Sequence, residues 1–78
     1  MYFVYILLCQ DGSYYTGSTN DVEKRFKNHL EGHGARYTKS HKPVKIIYTE
    51  KHDTKSEALK REAEIKKMTK TEKESLIK

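Results

Sequence analysis

Seventy-eight residues suffice for one domain with a small core and no more. Sixteen Lys and Arg against eleven Asp and Glu leave a formal charge of +5, a balance that points to a polyanionic partner, most often nucleic acid. The single cysteine, Cys9, excludes an internal disulfide and a cysteine-based zinc site, and no apolar run approaches the roughly 20 residues that a membrane span needs.

Tyr2 to Cys9 is a continuous apolar and aromatic run. It carries no basic leader and no small-residue cleavage site, so it is not read as a signal peptide. Its length and its β-branched and aromatic content predict a central strand buried on both faces, with Cys9 as a small buried hydrophobe. The cysteine usage fits a reducing cytoplasm, and a cytoplasmic protein is expected. Gln10-Asp11-Gly12-Ser13 predicts a hairpin turn, Asp-Gly being the strongest short signal for one, and the second strand returns over Ser13 to Gly17.

A first helix follows and stops at Gly32. Its N-cap is Thr19, Asn20 or Asp21, and with Asn20 in that place Glu23 would complete a capping-box-like start. Arg25 and His29 lie one helical turn apart, flanking Val22, Phe26 and Leu30, at the edge of the face that packs on the strands. His33 to Lys42 reads as a basic loop, with room for one helical turn. Within it, Tyr37 between Arg36 and Lys39 either stacks on a nucleic-acid base while the cations hold phosphates or packs on the domain. Pro43 opens a third strand, Val44 to Thr49. A second long helix begins at Thr54, with Glu57 as its capping-box partner, and runs to about Met68. Thr69 to Ile77 predicts a short terminal helix docked through Leu76 and Ile77. His33, His41 and His52 are expected in exposed loops.

In the second long helix Ala58, Ile65 and Thr69 share one side with Leu59 at its edge, and Lys60, Arg61, Glu64 and Lys67 share the other. Glu62 falls within the first group. A carboxylate facing inward needs a partner, either an ion pair to Arg25 or a lysine, or a role in metal binding or catalysis. The order β-β-α-β-α with a short terminal helix gives an α+β class (an α/β sandwich), a small three-stranded antiparallel sheet flanked by helices.

These residues in this order resemble the GIY-YIG nuclease superfamily, specifically its small single-domain bacterial members. Phe3-Val4-Tyr5 stands at the first family motif, with only the tyrosine retained, and Tyr15-Thr16-Gly17 at the second. The helix with Arg25 and His29 and the later Glu-Ala-Leu-Lys-Arg-Glu segment follow in register, so that residues 1–78 read as one such domain. The resemblance implies a nuclease that hydrolyses phosphodiester bonds in DNA with one divalent ion, Mg2+ or Mn2+. Tyr5 would be the general base or orient the water, and Tyr15 would position the scissile phosphate or a metal-bound water. Arg25 would stabilise charge on the phosphoryl oxygens, His29 would assist by hydrogen bonding or proton relay, and Glu62 would hold the metal.

The chemistry suits those residue types. A guanidinium matches phosphate oxygens in a fixed fork, magnesium is content with one or two carboxylates plus water and phosphate, and histidine titrates near neutrality. A tyrosine, by contrast, needs a neighbouring charge to act as a base. The first motif lacks its glycine and isoleucine, the lysine that follows the second motif in some relatives is Ser18 here, and no asparagine follows Asn28. The catalytic set is therefore minimal, and choice of target falls to the basic loop, to DNA structure as in repair or recombination, or to a protein partner. Competing readings are a non-catalytic nucleic-acid binding module and an interaction subunit for an acidic protein; an inward Glu62 favours the enzyme.

Overall fold

The computed structural model describes residues 1–78. Strands β1 (Tyr2–Cys9), β2 (Tyr14–Thr19) and β3 (Pro43–His52) form one antiparallel sheet in the order β2-β1-β3. Helices α1 (Val22–Leu30) and α2 (Arg36–Ser40) lie between β2 and β3 in the chain, and α3 (Lys55–Lys66) and α4 (Lys70–Ile77) follow β3. The class is the expected α+β, with α2 as an added element: the segment read as loop closes one short helical turn.

The central place of β1 follows from its composition. Val4, Tyr5, Ile6 and Leu7 are each no more than 1% exposed, and an unbroken apolar run is satisfied only where layers cover both faces of a sheet. Alternation divides those layers. Val4 and Ile6 join Ala58 and Ile65 of α3 in the core, with Leu76 and Ile77 of α4 packed against them. Phe3 and Tyr5 turn to the opposite face, toward α1.

The hairpin forms where Asp11-Gly12 predicts it, with the Asp11 carboxylate accepting the Ser13 N–H at 3.0 Å and Gly12 at φ +84°. Strand β2 continues past Gly17 because Ser18 and Thr19 still pair with Val4 and Phe3. Likewise β3 outruns Thr49, His52 pairing with Tyr2. The N-cap of α1 is Asp21, whose carboxylate accepts the Lys24 N–H at 3.1 Å, while Thr19 Oγ1 accepts the Asp21 N–H at 3.2 Å. Asn20 is exposed, and the start with Glu23 does not form. The helix ends in a Schellman arrangement, Gly32 N–H to His29 O and His33 N–H to Asn28 O, which requires the φ of +81° that Gly32 adopts. Helix α4 starts on a full capping box, Thr69 with Glu72.

Two local readings are corrected. Leu30 is 52% exposed and does not pack on the strands. His41 and His52 are not free loop residues. His41 stacks on Tyr37 with ring centroids 4.0 Å apart. His52 Nε2 lies 2.8 Å from Glu50, which also accepts from Tyr48 and from Arg61 Nε at 2.8 Å, a cluster tying β3 to α3 through a residue read as outward-facing. Trimming the core where α3 meets β1 should be costly: Ile65→Ala is expected to lower unfolding free energy by about 2–5 kcal/mol in urea denaturation. A loss well under that range would show that α3 does not seal the sheet.

Candidate active site

Tyr5, on β1, sits directly opposite Gly17 of β2. Cross-strand partners share a face, so the Tyr5 ring has to lie over the Gly17 position. A methyl group built on Gly17 would stand 2.5 Å from Tyr5 Oη. The glycine of the second motif is thus a steric necessity, with no special backbone angle involved.

From α1, His29 reaches the same spot. Its Nε2 is 2.8 Å from Tyr5 Oη, and both residues are 1% exposed. The ring is seated between the sheet and the loop after α1, where a side chain at Gly34 would collide with its Nδ1. Tyr15, two residues before Gly17 and on the same face, lies edge-on to His29 with centroids 5.2 Å apart.

Burial governs the charge states here. It pushes the Tyr5 phenol up to about 12, helped by the neighbouring Tyr15; the Arg25 guanidinium beside it pulls the other way through hydrogen bonding and charge, and the Glu62 carboxylate adds a further push upward. Burial, then the charge of Arg25, holds His29 down to about 4. At neutral pH the pair is therefore an uncharged phenol against an uncharged imidazole. The sequence anticipates a tyrosine that a nearby cation must lower, but desolvation outweighs Arg25 at this site. Arg25 itself has no carboxylate partner, so its charge remains open to an anion.

Glu62 comes from α3, across the edge strand. Ser18 follows Gly17 and so points to the α3 face, where its hydroxyl donates to Glu62 Oε1 at 2.5 Å; Lys66 Nζ, one turn on, lies 2.6 Å from Oε2. Of the two ion-pair partners weighed from sequence, the lysine is the one found. With its side chain 15% exposed, the carboxylate is reachable. No group of three or more His, Cys, Asp and Glu is arranged as a metal cage. A single carboxylate suits a hard divalent ion that completes its sphere with water and substrate oxygens; here both Glu62 oxygens are engaged, by Ser18 and by Lys66.

Arg36 and Lys39 are exposed on α2 and also lack acidic partners. Between them, the half-buried Tyr37 stacks on His41 and lies nearly parallel to Tyr15, centroids 5.8 Å apart. The ring that joins the site through Tyr15 is thus already engaged within the chain. Sequence reasoning passed over Ser18, Gly34 and Thr38. Only Ser18 carried a signal, as the residue next to the second motif.

The GIY-YIG catalytic domain profile matches residues 1–75. A UPF0213 protein of Staphylococcus saprophyticus is 53% identical over 76 residues, covering 97% of this chain and 93% of its own. One of Staphylococcus aureus is 54% identical over 77 residues, covering 99% and 94%. Among solved structures, the solution NMR structure of a UPF0213 protein from Bacillus halodurans has a TM-score of 0.62 at 44% identity, covering 99% of this chain and 83% of that one. That of a protein from E. faecalis has a TM-score of 0.65 at 46% identity, covering 97% and 81%.

Two outcomes follow from the geometry. Gly17→Ala should displace the Tyr5 ring and cost about 1–3 kcal/mol by overpacking; an unshifted Tyr5 resonance and unchanged urea midpoint would contradict this. The lowered pKa of His29 means that, between about pH 6.5 and about 4, the unfolded chain takes up a proton that the folded chain refuses. Its contribution to stability is complete above that window and lost as pH falls through it. Thermal unfolding from pH 7 to pH 4 should therefore fall less steeply for His29→Gln than for the wild type, and parallel curves would exclude the effect.

Proposed function

The chain belongs to the GIY-YIG catalytic domain family, and from that premise we propose that it is a divalent-metal-dependent nuclease hydrolysing phosphodiester bonds in DNA, with structure-selective cutting in repair or recombination as its setting. The observation that carries the proposal is the buried contact between Tyr5 Oη and His29 Nε2, beside an arginine without a carboxylate partner.

Phosphodiester hydrolysis removes a proton from the attacking water and adds charge to the phosphoryl oxygens. A phenol held up at about 12 is a poor reservoir of phenolate. It serves instead as a shuttle: Tyr5 Oη takes the proton of the water while its own passes to His29 Nε2. Free phenolate need not accumulate. The imidazole is a weak base while Arg25 is unpaired, and an anionic phosphate on that guanidinium removes one of the two causes that hold it down. Arg25 meets the charge that develops on the non-bridging oxygens, and Tyr15 orients the scissile phosphate.

Glu62 would hold the divalent ion, which when bound supplies positive charge to the reacting phosphate. Ser18 steadies Glu62 through Oε1. Arg36 and Lys39, with Tyr37 between them, would carry the flanking strand on α2. Choice of target would rest on DNA structure or a protein partner, and the place of action would be the cytoplasm.

The deciding experiment is cleavage of labelled single-stranded, duplex, flap and branched DNA in magnesium or manganese. Arg25→Ala is expected to lose about 10²–10³-fold in rate, as for other donors aimed at developing charge, and Glu62→Ala to lose metal-dependent cleavage while still binding DNA. Full activity in either variant removes that residue from the mechanism. Salt-sensitive binding by the wild type without any cleavage would make the chain a binding module.

A further inference from the structure

His29 has a second nitrogen, and the structure occupies it. Nδ1 lies 2.8 Å from Thr38 Oγ1, and Thr38 Oγ1 donates to the Ala35 carbonyl at 2.9 Å. A hydroxyl has one proton to give. With that proton on Ala35, Oγ1 can only accept from the ring, so Nδ1 carries a hydrogen. A neutral imidazole carries just one; Nε2 is then bare, and the Tyr5 hydroxyl must be the donor in the 2.8 Å contact.

The bonds therefore run in one direction: Tyr5 O–H to Nε2, Nδ1–H to Thr38 Oγ1, and Thr38 O–H to Ala35 O.

We infer that Thr38 is a positioning residue, holding His29 in the tautomer whose Nε2 lone pair faces the Tyr5 hydroxyl. This deepens the nuclease reading above and rests on it for its link to rate. Only with Nε2 bare can the imidazole receive the phenolic proton. Thr38 does not reach the reacting atoms. It is 1% exposed and sits in the five-residue helix α2, which has no side-chain N-cap. What the short helix contributes is a hydroxyl at the right depth, its proton already engaged three residues back.

The test is long-range ¹H–¹⁵N correlation of the His29 ring in the labelled full chain at neutral pH. Beside it, cleavage is measured for the wild type, Thr38→Val and Thr38→Ser. The wild type is expected to show a protonated Nδ1 and a bare Nε2. Thr38→Val should move the ring toward the other tautomer and slow cleavage about 10- to 100-fold, in the range seen when a partner orienting a histidine is removed, and Thr38→Ser should restore both. A wild-type ring protonated at Nε2 overturns the assignment without recourse to any variant. So does a Thr38→Val protein that keeps both the wild-type tautomer and the wild-type rate. If the tautomer responds as described but no form of the protein cuts DNA, the positioning role stands and the nuclease reading fails.

Discussion

A phenol hydroxyl and an imidazole are buried together in the narrow layer between a three-stranded sheet and its first helix, and neither can be left unpaired there. Each would cost on the order of 1–3 kcal/mol if deprived of its hydrogen bond in that setting. The contact between Tyr5 and His29 is the economical solution, and much of the surrounding construction serves it. Gly17 has no side chain because the phenol occupies that volume, and Gly34 has none because the imidazole does. The short helix α2 is held against α1 by the hydroxyl that completes the bonding of the ring.

The same burial separates the site into a neutral centre and a charged rim. Water exclusion keeps Tyr5 protonated and His29 uncharged, so the centre of the site carries no formal charge. The charges sit around them: Arg25 on the α1 side, and Glu62 with Lys66 on the α3 side. The two sides belong to different faces of one sheet. They meet at β2 because it is an edge strand, whose successive residues Gly17 and Ser18 address opposite faces.

What could be read from the chain is what local chemistry decides. The bounds of β1 were legible because its apolar run has no polar break, and the turn at Asp11-Gly12 because those side chains favour it in any context. The start of α3 at Thr54 was legible from its cap. The grouping of Tyr5 and Tyr15 with Arg25 and His29 was legible only through the family whose motifs they match, since a tyrosine in an apolar strand reads by itself as core. The misses come from tertiary structure. Asp21 rather than Asn20 caps α1 because Thr19, still in β2, supports Asp21 from behind. Arg61 is outward on a helical wheel, yet Glu50 across the sheet draws it in. Thr38 stands in a polar stretch where nothing marks it; its importance exists only once α2 is folded against His29.

Gly17 and Gly34 carry no reactive group, yet each is shaped by one. At a glycine codon, every single-base change that alters the amino acid adds a side chain, and here any side chain enters space held by the phenol or the imidazole. Two residues without chemistry are therefore as exposed to random mutation as those with it. The genetic target for inactivating so small a protein is correspondingly larger than its set of functional side chains.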